Sequence, residues 1–169
     1  MKRPLAVFGV DGVLFPLGPR TGAEIPRPEG HTHARVWGLS VSFHPALAGW
    51  LRDVQQHAEL AVASSWASGD GLSALREMFD LGPLTCAGGR SGSFAWVSGV
   101  AADRPLIWCD HHRAGPVARA WAQQRREQQL PTLLVHPRRD QALTVRQMDR
   151  IGRWLSACSG DTPLRAGRA

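Results

Sequence analysis

The feature that most constrains this chain is the apolar run Leu5 to Val10, broken at once by Asp11-Gly12. A run with no polar alternation buries both faces of a strand, which is the environment of a central strand in a parallel sheet. The pattern recurs. Glu59 to Ala63 is apolar and ends in Ser64-Ser65-Trp66, Pro105 to Cys109 runs into Asp110-His111-His112, and Pro131 to His136 reads as a fourth strand. Helical spacing separates these runs. Leu47, Trp50, Leu51 and Val54 define a helix over 44–57 with Pro45 in its first turn, and Leu72, Leu75, Met78 and Phe79 share one side of a second. Gly115 to Gln129 reads as a third helix. Thr144 is placed to cap a final one, with Val145, Met148, Ile151, Trp154 and Leu155 facing inward. Residues 93–102 fit either a helix or an irregular segment.

Strands alternating with helices predict an α/β, Rossmann-like single domain: a parallel sheet with helices on both faces. Residues 15–43, rich in Pro, Gly and Arg with a weak alternation near Arg35 to Ser42, predict a loop and a small hairpin inserted after the first strand. The expected domain spans 1–157. The Ser, Gly, Asp, Thr, Pro and Arg of 158–169 predict a disordered tail.

Composition bounds the partners. The net charge is +6 and the pI about 10.8, a balance that raises nucleic acid or another polyanion as a partner. Lys2 is the only lysine among 20 basic residues and Asn and Tyr are absent, so the arginine excess reads as coding bias as readily as ligand recognition. Arg125-Arg126 and Arg138-Arg139 are read as solvated faces, with a phosphate-binding patch as the alternative. A small-molecule ligand is the expected partner. No run approaches the roughly 20 apolar residues of a membrane span, and the expected location is cytoplasmic. Cys86, Cys109 and Cys158 lack the paired spacing of a disulfide framework or structural zinc site and read as free thiols.

In parallel α/β sheets, ligands bind outside the carboxyl ends of the strands. The candidate site is therefore Gly9 to Asp11, Ser64 and Ser65, Asp110 to His112 and His136, with Gly12 and Trp66 as further ligand-binding candidates. Over roughly residues 4–157 the chain resembles the haloacid dehalogenase (HAD) superfamily, in particular a small, nearly capless actinobacterial-type group. An apolar strand ending in Asp-x-Asp-Gly-Val/Thr-Leu opens that superfamily; here Asp11, Gly12, Val13 and Leu14 match while Gly9 stands at the first Asp.

The resemblance implies a role for each matching residue. The first Asp attacks phosphorus, and Gly9 cannot. Asp11 takes the acid/base position and, with Asp110, a place near Mg²⁺; Ser64, with Ser65 beside it, takes the phosphate-holding hydroxyl. No lysine is available for the motif cation: Ser93 falls near that position and Arg90 is the nearest substitute. His111 replaces a usual second acid, which weakens Mg²⁺ and favours a transition metal. His31 and His33 are further candidate ligands from the insertion. Trp66 and Trp37 are candidate walls of a ligand pocket, whereas Trp50, Trp121 and Trp154 read as packing.

These departures imply a HAD-like protein without aspartyl-phosphate chemistry, its strand-end pocket serving ligand binding or acid/base chemistry through Asp11. The competing readings are a metal-dependent hydrolase using activated water on a nucleotide or small phosphoester, and a non-catalytic module that binds a polyanion or a protein.

Overall fold

The computed structural model describes residues 2–18, 28–36, 38–67, 70–86, 94–112 and 115–160, with only the backbone at 67. Arg90, Ser93 and Trp37 lie outside the described residues, as does 161–169 of the expected tail.

Among the described residues, seven strands and five helices follow one another as β1 (Leu5–Phe8), β2 (Thr32–Val36), β3 (Leu39–Phe43), α1 (Leu47–His57), β4 (Glu59–Val62), α2 (Gly71–Phe79), β5 (Thr85–Cys86), α3 (Phe94–Ala101), β6 (Leu106–Cys109), α4 (Pro116–Glu127), β7 (Thr132–Val135) and α5 (Val145–Ser159). Five strands form one parallel sheet in the order β5-β4-β1-β6-β7. The domain is a Rossmann-like α/β layer structure with β1 at its centre. Period-two alternation assigns the side chains to faces. Ala6, Phe8, Leu60, Val62, Ile107 and Cys109 pack with α1, α2 and α5, whereas Leu5, Val7, Ala61, Leu106 and Trp108 pack with α3 and α4. Both faces are covered, so the strands carry no polar alternation. Among the described residues no helix is long and apolar enough to cross a membrane.

The insertion after β1 is the expected loop and hairpin, with β2 and β3 pairing antiparallel around a turn that contains Gly38 at φ +77°. Val36, Val41 and Phe43 turn inward from it, and Phe43 meets Phe15 and Phe79. That aromatic contact ties the hairpin to the first loop and to α2.

Several boundaries differ from expectation for local reasons. Helix α1 starts at Leu47 after an Ala46 cap, and Pro45 lies in the preceding turn, where the His44 ring Nδ1 accepts from the Ala46 N–H at 3.1 Å. Residues 94–101 resolve as a helix, anchored by buried Val97 and Ala101. β5 escapes the sequence because two residues carry no periodicity; only their pairing with Ala61 and Val62 defines it. Helix α5 continues through Cys158 to Ser159 and stops at Gly160, φ +77°. Its start is as expected: Thr144 Oγ1 accepts from Gln147 N, and Gln147 Oε1 accepts from Thr144 N, a capping box.

Trp50 is buried and Trp121 and Trp154 pack on the two cores, as their spacing predicts. Arg125 corrects the solvated-face reading. It is only 3% exposed, stacks on Trp121, and donates to Thr132 Oγ1 at 3.0 Å and to the carbonyls of Ala102 and Arg104. The guanidinium is a staple that ties α4 to the loop before β6. Arg126, Arg138 and Arg139 are exposed.

Candidate functional site at the strand ends

The ends of β1, β4 and β6 are neighbours because those strands are adjacent in the sheet. After Phe8 the chain keeps one more ladder bond, from Gly9 N to Cys109 O at 2.9 Å, and then folds back on itself. The carbonyl of Val10 accepts from Val13, Leu14 and Phe15, and Gly12 donates to Phe15 O at 2.7 Å. Gly12 has φ +71°, and a Cβ placed on it would lie 2.7 Å from the His111 ring. Both the backbone conformation and the closeness of the imidazole require glycine here. Gly9 is less constrained: the nearest atoms to its Cβ would be Val13 Cγ2 at 3.1 Å, then Val13 Cβ and Cys109 O at 3.8 Å.

Asp11, in this loop, is held by Trp66, whose Nε1–H donates to both carboxylate oxygens at 3.2 Å. Trp66 belongs to a short 3₁₀ turn after β4 (Ser65–Ala67) and is fixed twice more. Ser64 Oγ accepts from the Trp66 N–H at 3.4 Å, and the indole packs on Phe15 at 5.5 Å between centroids. Trp66 is 8% exposed, and its indole meets both Asp11 and Phe15. Burial pushes the Asp11 carboxyl above its ordinary range, against the Trp66 hydrogen bond and the charges of His111 and Arg139, which pull it down. Asp11 is thus an acid biased toward its protonated form.

At the end of β6, Asp110 N donates to Val135 O, and Asp110 Oδ1 accepts from the His112 N–H at 2.8 Å, closing a tight turn. His136 Nδ1 lies 3.2 Å from Asp110 O. The side chains of Asp110, His111 and His112 bring three possible ligand atoms within 4.8 Å of one another. His111 Nδ1 is buried without a hydrogen-bond partner and lies 3.7 Å from Asp110 Oδ1. Burial and the neighbouring His112 hold the His111 imidazole below its ordinary range.

The structure therefore gathers Gly9, Asp11, Gly12, Ser64, Trp66, Asp110 and His111 around three adjacent strand ends. Within them, Ser64 turns the chain and Trp66 holds Asp11. Ser65 is exposed in the same 3₁₀ turn. Asp11 is not in the group of clustered metal-capable atoms, and His112 takes the third place in it. His31 and His33 are not in it either; His31 packs edge-on against His44 at 6.0 Å beside the hairpin. Cys109 is buried in β6, and burial pushes its thiol well up, which removes it as a nucleophile. All three cysteines are unpaired, as their spacing predicts.

The sequence reading named Trp66 as a pocket wall but missed its bond to Asp11, and it missed Arg139 altogether. The Trp66 indole has one N–H that must find an acceptor once buried, and this requirement was the available signal. Arg139, whose charge reaches Asp11 and His111, is brought near by bonds from Leu17 N to Arg139 O and from Leu143 N to Val13 O. No local pattern announces that contact.

The HAD resemblance implies Mg²⁺, and the residues present do not fit it. Mg²⁺ takes oxygen donors in octahedral geometry, whereas this cluster offers one carboxylate and two imidazoles, and position 9 adds no oxygen-bearing side chain. No protein-family model and no curated protein matches the chain.

Proposed function

We propose that this chain is a HAD-like domain that has left aspartyl-phosphate chemistry and uses Asp11 as a half-buried, protonatable group toward a small ligand at the strand ends. The observation that carries this reading is the pairing of Gly9 with the Asp11–Trp66 contact. The position that would attack phosphorus has no side chain, while the neighbouring carboxylate is desolvated and held by an indole N–H. A carboxyl of raised pKa can give or accept a proton nearer neutrality than an exposed one.

The test is turnover of p-nitrophenyl phosphate with Mg²⁺. The expected rate equals that of Asp11→Ala; robust turnover lost in Asp11→Ala overturns the reading. Gly9→Asp supplies the complement. Only the Val13 methyl stands close to the new Cβ, so the variant is expected to fold and to gain Mg²⁺ affinity by calorimetric titration. Unchanged titration of a folded Gly9→Asp counts against the alignment with the superfamily.

A second reading, a hydrolase that activates water on a metal, is favoured by one observation, the nitrogen-rich donor group at the end of β6.

A further inference from the structure

We infer that Asp110, His111 and His112 form a binding site for one borderline divalent transition ion of the Zn²⁺ class. Three observations converge on it. The first is the donor set: one carboxylate oxygen and two imidazole nitrogens within 4.8 Å of each other match the preference of Zn²⁺ for nitrogen and oxygen ligands.

The second is the gap between Asp110 Oδ1 and His111 Nδ1. At 3.7 Å it is too long for a hydrogen bond. Ligand atoms about 2.1 Å from a tetrahedral ion stand about 3.4 Å apart, so a small closure brings both onto one ion. His111 Nδ1, buried and without a partner, gains in the ion the contact that the protein does not give it.

The third is that the cluster is built into the fold. Asp110 is fixed by the bond from its backbone to Val135 and by the turn to His112, and His136 adds a contact to its carbonyl. The His111 ring occupies space that any side chain at position 12 would fill. His112 is exposed, with its ring 3.9 Å from that of His111, and supplies the third donor from the solvent side.

Calorimetric titration of the purified full chain with ZnCl₂, and separately with MgCl₂, tests this. Expected are one Zn²⁺ per chain and no measurable Mg²⁺ at the same protein concentration. His111→Asn and His112→Ala should each weaken Zn²⁺ at least about tenfold, while His31→Ala and His33→Ala leave it unchanged. Co²⁺ in place of Zn²⁺ should give visible absorption of a low-coordinate site in the native chain and lose it in His111→Asn. Circular dichroism of each variant shows whether it is folded. Absence of stoichiometric Zn²⁺, or Zn²⁺ binding indifferent to His111 and His112 in folded variants, overturns the inference. Metal binding and the loss of phosphatase chemistry fail independently. Asp11→Asn is expected to keep Zn²⁺, so a chain that binds Zn²⁺ yet hydrolyses p-nitrophenyl phosphate sinks only the proposed function.

Discussion

The loop after β1 and the turn after β6 emerge from adjacent strands and meet at Gly12 and His111, but they spend their polar groups differently. In the first, one carbonyl, that of Val10, collects three backbone donors, and Asp11 accepts the indole N–H of Trp66 on both oxygens. In the second, Asp110 Oδ1 serves a backbone N–H while His111 Nδ1 is left buried and unpaired. The contrast separates architecture from function. A satisfied loop holds the fold and biases an acid, whereas an unsatisfied imidazole is a cost that a bound ligand can relieve.

The largest expected effect falls where the two meet. Gly12→Ala forces a positive φ on a residue with a Cβ and drives that Cβ into the His111 ring, so it should destabilise the protein by about 2–3 kcal/mol, read as a lower urea midpoint. A Gly12→Ala chain with native stability would mean that the two strand ends are not in contact.

Next in size is Trp66→Phe, which keeps most of the packing on Phe15 and removes only the donor to Asp11. It should cost about 1–2 kcal/mol near neutral pH and move the Asp11 pKa further up, because the lost bond is one that lowers it. Titration of the Asp11 carboxyl by NMR in native and variant chains checks the direction.

The smallest effects are in pH dependence, and they distinguish the two loops by sign. Asp11 has a folded pKa above its ordinary 3.8, so the folded state holds its proton longer and stability falls as pH rises from 3.8 through the folded value. Asp11→Asn should remove that fall and be at least as stable as the native chain above this window. His111 has a folded pKa below its ordinary 6.5, so the unfolded chain takes up the proton first and stability falls as pH drops below 6.5. His111→Asn should flatten the profile there. Melting temperatures across both windows test the pair, and a variant with the native profile in its own window would contradict the corresponding burial.

Much of the architecture was legible because it is written in local pattern. Unbroken apolar runs at Leu5 to Val10 and Pro105 to Cys109 mark strands buried on both faces, and Thr144 with Gln147 marks a helix start through bonds only three residues apart. The strand-end rule then located Asp11, Ser64 and Asp110. Arg125 was misread because its sequence neighbourhood is polar: its burial depends on the carbonyls of Ala102 and Arg104 and on Thr132. β5 and the Pro45 turn failed for a similar reason, being too short for periodicity.

By itself, then, the sequence determined the alternating α/β order, the strand-end position of the candidate site and the absence of a side chain at Gly9. Each follows from residue type and short-range spacing. Only tertiary structure decided that Trp66 grips Asp11 across 55 positions, that His111 rests on Gly12, and that the donor group at Asp110 to His112 leaves out Asp11 while His31 goes to His44. The physical reason is that directional contacts act over about 3–4 Å, and packing of the sheet and its helices sets which distant side chains come that close.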